Sequence, residues 1–254
     1  HRVSLVLHTH VPYVRRNGVW PAGEDLFHQA ARDSYLPLLG VFDDLARRGL
    51  RDLCTVAITP VAAHQMADAH MRRELAAFLA RDELRALRQV ANYRDRDADQ
   101  IKDLAAFYAR FAREQAARLD RDGGIDRAFA RLAAGGAVEL MAGPATHPLL
   151  PAIESERLRL LQIETGLANH EAIFGTRPAG AWIPECAVAP GVDASLARLR
   201  SAGVKIGVVT SKRRASVEMA VRRFPVLGEV VDHFVSMEET AEHKPHPAPL
   251  LKGL

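Results

Sequence analysis

Four short apolar runs, at 3–7, 53–58, 137–141 and 179–183, are separated by much longer stretches with helical character. This alternation constrains the chain more than any other feature. Neighbouring parallel strands need crossover connections, and helices supply them. The expected fold class is therefore α/β, with these four strands parallel in one sheet and helices outside. Between 26 and 48 apolar residues recur at helical spacing (Leu36, Leu39, Phe42, Leu45), and Gly49 supplies a stop. The region 60–132 is poor in β-branched residues and rich in Ala, Leu, Arg and Asp, with breaks near Asn92-Tyr93 and at Asp122-Gly123-Gly124. It is too long for a single crossover and is expected to project as a lid-like helical insertion. A further helix is expected over 155–174.

Three of the runs lead into polar clusters: His8/His10, Thr146/His147 and the tetrad Trp182-Ile183-Pro184-Glu185. In a repeating β/α chain such points converge at the C-terminal rim of the sheet, where active sites form. His8-Thr9-His10 alternates out of its strand, so both imidazoles face one side and Thr9 the other. Two histidines at this spacing lack a third metal ligand, and no HExxH-type motif is present, so no metal is expected. They are read either as donors and acceptors for a polar ligand such as sugar hydroxyls or as a buried structural pair. Glu139, inside the third run, reads as a buried hydrogen-bonded carboxylate or as a group orienting the site. Pro184 restricts Ile183 to extended geometry and so helps to fix Glu185 at the strand end. A carboxylate there can attack an anomeric carbon, and an indole face packs on sugar C–H surface. His10, His147, Trp182 and Glu185 are expected to share one polar, aromatic-lined groove.

Composition narrows the class. With 254 residues, 48% of them apolar, and a formal charge of +3, the chain can bury a core and is not a disordered composition. No basic run is interleaved with aromatics, so nucleic acid is not an expected partner. No apolar stretch reaches the ~18 residues that a membrane span requires. Cys54 and Cys186 cannot build a disulfide framework, and reduced thiols in the cytoplasm are expected. The first apolar stretch is too short for a signal peptide. The DRDGGID stretch lacks a twelfth-position Glu and reads as a turn between helices, not a calcium loop.

The segments LVLHTHVPYVR, WPAGEDLFHQAARDSYLPLL, GAVELMAGPATHPLLP and AWIPECAVAPG resemble, in order, the motifs of glycoside hydrolase family 57. Within the family they are most similar to the 1,4-α-glucan branching enzymes, over about residues 1–190. The resemblance implies an incomplete (β/α)7 barrel, a retaining mechanism, an α-glucan polysaccharide or oligosaccharide as partner, and no cofactor. On it, Glu185 falls on the catalytic nucleophile of the W-x-P-E motif. His10 falls on the first motif's substrate-binding position, with His8 beside it as a further candidate substrate contact, and Glu139 and His147 fall on the strand and loop of the second. Trp20 and Trp182 are assigned to acceptor and donor subsites. The family's acid/base is an aspartate from a later strand, and no stretch here resembles that motif. A polypeptide of these residues alone is thus expected to be a poor catalyst, unless Asp193 or Asp232 substitutes.

Residues 191–254 have a different character. PGVDASLARLRSAGVKIGVVTSKRRASVEMAVRRF and HFVSMEETAEHKPHPAPLLKGL resemble the middle of haloacid dehalogenase-like phosphatases, in a βαβ segment. That resemblance assigns phosphate binding to Thr210, Ser211 and Lys244, with Mg²⁺ as cofactor only on this reading. A hydroxyl at a strand end and a cation before a helix suit a phosphate. The D-x-D nucleophile of those phosphatases has no counterpart after an apolar run; Asp120 and Asp122 follow a helix. Three functions stay open: glucan-acting glycosyl transfer through Glu185, a phosphatase, and a glucan-binding chain without turnover. Oligomeric state is not legible.

Overall fold

The computed structural model describes residues 6–92, 99–178, 180–187, 197–198, 200–201, 207–209, 213–223 and 225–239. By contacts the chain divides into two compact units: residues 1–10, 50–63 and 133–254, and residues 11–49 and 64–132.

The first unit holds the sheet. Strands β1 (Val6–Thr9), β2 (Cys54–Ile58) and β3 (Val138–Met141) are parallel, in that order. The register pairs His8 with Ala57 and Thr55 with both Val6 and Glu139. The fourth expected strand is reduced to a parallel bridge between Ala142 and Ala181, closed by Ala142 N–H to the Gly180 carbonyl at 3.1 Å and Trp182 N–H to the Ala142 carbonyl at 2.8 Å. Because side chains alternate, one face of this sheet carries Leu7, Thr9, Val56, Ile58, Val138 and Leu140, and the other carries His8, Thr55 and Glu139. The first face is mostly buried, and Thr9 is shut off from solvent on it while His8 and His10 keep part of their surface accessible. The alternation expected for His8-Thr9-His10 is thus present.

Helix α7 (Glu156–Phe174) packs its Ile163 and Leu167 with Ala142 and Leu150 in one core. Its ends are set by sequence. Ser155, in extended geometry, accepts from Leu158 N–H at 3.4 Å as the N-cap, and Gly175 closes the helix in the left-handed conformation (φ 77°). Toward the C-terminus a second parallel pair forms between β4 (Gly207–Val209) and β5 (His233–Val235), with helices α8 (Arg214–Arg223) and α9 (Val226–Val230) between them. Leu227 and Val231 join the same core as α7.

The second unit is helical. Helices α1 (Asp25–Ala30) and α2 (Leu36–Arg47) are joined by a π turn over Ala31–Tyr35, where one continuous helix is expected from the periodicity. Pro37 explains the difference. It has no N–H for the carbonyl four residues back, and its ring crowds that turn, so the ladder widens.

Helix α3 (Pro60–Ala67) starts in the first unit, and α4 (Ala69–Asn92) and α5 (Asp99–Asp122) pack along each other in the second. Helix α6 (Ile125–Ala134) follows the Gly123-Gly124 turn. The region expected to break only near 92 and 123 has an earlier break at Asp68. Its carboxylate accepts from the N–H groups of His70 (2.8 Å) and Met71 (3.0 Å) and so caps α4. Asp122, at the end of α5, is ion-paired with Arg121 at 3.0 Å and Arg131 at 3.3 Å. Among the described residues no helix is long and apolar enough to cross a membrane.

Candidate active site

The polar face of the sheet gathers the residues singled out from the sequence. His8 and His10 leave β1 side by side. The loop after β3 returns His147 over them, with ring centroids 4.3 Å from His10 and 5.1 Å from His8, both stacked. The indole of Trp182 stacks on His8 at 5.0 Å. Four rings from three distant segments therefore form one continuous aromatic surface. Glu185 lies close enough for its charge to act on both His10 and His147. It is exposed, on a 3₁₀ turn (Pro184–Cys186) entered through an extended Ile183 (ψ 121°).

Two of these residues hold unusual backbone. Glu185 has φ 55° and His147 φ 53°, in the left-handed region that L side chains rarely occupy. Each such residue costs on the order of 1–3 kcal/mol and persists only where its surroundings fix it.

The electrostatics follow from packing. Burial, then the neighbouring His147 and His10, push the His8 imidazole down to about 4. His10 and His147 are also held below the ordinary histidine value, chiefly by burial, with Glu185 opposing the shift in both. All three rings are consequently neutral at physiological pH, each with one N–H donor and one acceptor nitrogen. That suits hydroxyl groups, which also donate and accept. The rings meet face to face, and among the described residues no group of three His, Cys, Asp or Glu side chains is arranged to hold a metal ion.

Glu139 lies on the same sheet face and accepts from the Thr55 hydroxyl at 2.8 Å. It is exposed, which corrects the buried alternative: β3 leaves this face open at that position. Trp20 belongs to the other unit, on a loop whose Glu24 carboxylate accepts from Arg16 N–H at 2.6 Å and is paired with His70 Nε2 at 2.7 Å; its side chain is 74% exposed. Asp232 is paired with Arg200 at 2.8 Å. Asp193, Thr210, Ser211 and Lys244 lie outside the described residues.

Sequence reasoning passed over Thr59, whose hydroxyl is 3.4 Å from His10 Nδ1 and accepts from Ala62 N–H at 3.3 Å. A Thr-Pro pair after an apolar run is a helix-start signal, and that signal also marked a strand end at the site. Gly166 was passed over too. A Cβ there would meet the Gly143 carbonyl oxygen at 2.0 Å, so only glycine lets α7 lie against the loop that carries His147. Gly166→Ala is expected to destabilise the protein by about 1–3 kcal/mol, measured as a lower urea midpoint. An unchanged midpoint would show that the loop yields freely.

The family model described as Glycosyl hydrolase family 57 matches residues 4–223. The chain belongs to glycosyl hydrolase family 57. Among curated relatives, the 1,4-alpha-glucan branching enzyme TK1436 of Thermococcus kodakarensis is 32% identical over 188 residues, covering 74% of this chain and 27% of the relative. Among solved structures, the GH57-type branching enzyme from Pyrococcus horikoshii superposes with a TM-score of 0.76 at 29% identity, over 82% of this chain and 41% of the other. This chain thus spans between a quarter and somewhat over two fifths of those family 57 proteins. A shorter match, 46% identical over 59 residues, is to a putative pyrophosphatase PpaX of Caldanaerobacter subterraneus subsp. tengcongensis, covering 23% of this chain and 26% of that protein. The α/β fold with parallel strands is the one shared with the family 57 structure.

Proposed function

We propose that the protein acts on α-glucan by retaining glycosyl transfer, with Glu185 as the nucleophile and a glucan hydroxyl as acceptor, in the manner of a 1,4-α-glucan branching enzyme. The observation that carries this reading is the exposed Glu185 carboxylate beside a stacked surface of His8, His10, His147 and Trp182. Family membership and the branching enzymes named among its relatives support it.

A retaining reaction needs one carboxylate to attack C1 and a second carboxyl group, about 5–5.5 Å away, to protonate the leaving oxygen and later deprotonate the acceptor. Glu185 fills the first role. Its carboxylate also faces the positive charge that grows on the sugar ring in the transition state. The Trp182 face takes the apolar side of a glucose ring, and the neutral imidazoles bind its hydroxyls without adding repulsive positive charge. Glu139, with Thr55, orients the sheet face, and Trp20 offers an exposed indole face to glucan within its own unit. The reading includes action in the cytoplasm without a cofactor, a role in glycogen synthesis, and a glucan-acting portion over residues 1–190.

The test separates the nucleophile from the acid. A fluorinated α-glucosyl fluoride has a leaving group that departs with little protonation, so it reports attack by the nucleophile alone. The expected result is a covalent adduct on the peptide carrying Glu185, found by mass spectrometry and absent from Glu185→Ala. Branch formation on amylose that survives Glu185→Ala would sink the assignment.

A second reading, favoured by the short pyrophosphatase match, gives residues 191–254 a haloacid dehalogenase-like phosphate site with Thr210, Ser211, Lys244 and Mg²⁺. Phosphate release from pyrophosphate, dependent on Mg²⁺ and lost in Lys244→Ala, would support it. No release with either protein would remove it.

A further inference from the structure

His147 reaches the aromatic surface without holding itself there. Its Nδ1 is shut off from solvent and has no hydrogen-bond partner among the described residues, and its backbone is in the left-handed region. The ring is therefore placed by the turn that carries it. That turn is short and tight, with His147 N–H donating to the Pro144 carbonyl at 3.1 Å.

Helix α7 grips the turn through one residue. The Ala145 N–H donates to the backbone carbonyl of Gln162 at 2.7 Å, while Thr146 donates its N–H (2.9 Å) and its hydroxyl (3.1 Å) to Gln162 Oε1. A backbone N–H only donates, so the amide oxygen of Gln162, not its nitrogen, must face the turn. One helical turn further on, Gly166 admits the Gly143 carbonyl to the helix surface. Gln162 thus accepts three hydrogen bonds from the two residues just before His147.

We propose that Gln162 is a positioning residue for this site: by holding Ala145 and Thr146 it sets the His147 ring against His10 and His8, and with it the hydroxyl-binding surface beside Glu185. Its contribution to glucan binding rests on the reading of the site given above. Gln162 touches no substrate on this account and acts only through His147.

The test uses substitutions that separate the acceptor from the shape. Gln162→Met keeps side-chain length, helix propensity and the backbone carbonyl that accepts from Ala145, but loses the side-chain oxygen that accepts both bonds from Thr146, whereas Gln162→Glu keeps a side-chain acceptor at the same reach. Thr146→Val is the partner variant on the exposed turn and removes only the hydroxyl donor. Imidazole resonances of His8, His10 and His147, assigned through single His→Gln variants, are read well above the histidine titration range so that added charge does not confuse them.

The ring-current shifts of His8 and His147 are expected to collapse in Gln162→Met, to weaken in Thr146→Val and to persist in Gln162→Glu, with helicity unchanged by circular dichroism. Maltoheptaose affinity is expected to fall about two- to tenfold in Gln162→Met, the weight of a misplaced neutral hydrogen bond, and to recover in Gln162→Glu. Ring-current shifts that stay at wild-type values in both Gln162→Met and Thr146→Val would overturn the proposal. If the shifts collapse as described but wild-type protein binds no maltoheptaose, the positioning role stands and the glucan reading falls.

Discussion

Glu185→Gln is expected to slow glycosyl transfer by roughly 10⁴-fold or more, the scale on which loss of a catalytic nucleophile or its essential partner acts, while maltoheptaose affinity stays within a few-fold of wild type. The amide has the shape of the carboxylate and can still hydrogen-bond, but it can neither attack C1 nor stabilise the adjacent positive charge. The turn should tolerate the change, because Glu185 is exposed and its conformation (φ 55°) is set by the backbone around Pro184.

An α-glucosyl fluoride is the substrate of choice, since departure of fluoride bypasses the general acid and leaves attack at C1 as the step that Glu185 controls. A charge readout accompanies the rate. Glu185 raises His10 and His147 against the lowering effect of burial, so removing its charge should move both imidazoles still lower in an NMR titration. Equal losses of binding and turnover would make Glu185 a structural residue. Unmoved histidines would put its carboxylate too far from them to belong to the same site.

The parts of this site that were legible in the sequence are those governed by short periods and local chemistry. The period of two along β1 put His8 and His10 on one face with Thr9 opposite, and burial follows that alternation. The Pro in the W-x-P-E tetrad announced the extended Ile183 that precedes Glu185. The helix expected over 155–174 matches α7 (Glu156–Phe174), whose ends Ser155 and Gly175 cap.

What was not legible depends on partners distant in sequence. Nothing around Gln162 says that its side chain accepts from a turn sixteen residues earlier. Glycine at 166 looks like a mildly unfavourable helix residue until the Gly143 carbonyl is seen against it. Glu139 lies in an apolar run that invites a buried reading, yet the open face of β3 leaves it exposed beside Thr55. The break at Asp68 was missed for a different reason: one capping aspartate in an Asp-rich helical region is a weak local signal.

The second large expectation concerns pH and the helix behind the site. His170 is only 2% exposed, lies on the buried face of α7 against Phe174, and has no hydrogen-bond partner for either ring nitrogen among the described residues. Burial pushes its imidazole down to about 4. The folded protein therefore resists a proton that the unfolded chain accepts near 6.5, and between those values the unfolded state binds more protons. Stability should accordingly be full above about pH 6.5, fall as the pH drops toward 4, and lose the whole contribution below that. A shift of this size corresponds to about 3 kcal/mol.

His8 shares the direction but is partly open to solvent, so its share is smaller. Glu24 and Asp68, held below the usual carboxylate range by their hydrogen bonds despite burial, act at lower pH and leave the upper part of the window to the histidines. His170→Leu removes two unpartnered nitrogens from an apolar site. It is expected to hold or raise stability at about pH 7 and to flatten the decline between about pH 6.5 and 4.5 in urea unfolding. A decline as steep as in wild type would assign the acid sensitivity elsewhere. Because α7 also carries Gln162 and Gly166, charging His170 should loosen the turn that presents His147, so the ring-current shift of His147 should fade on acidification in wild type before the protein unfolds, and fade later in His170→Leu.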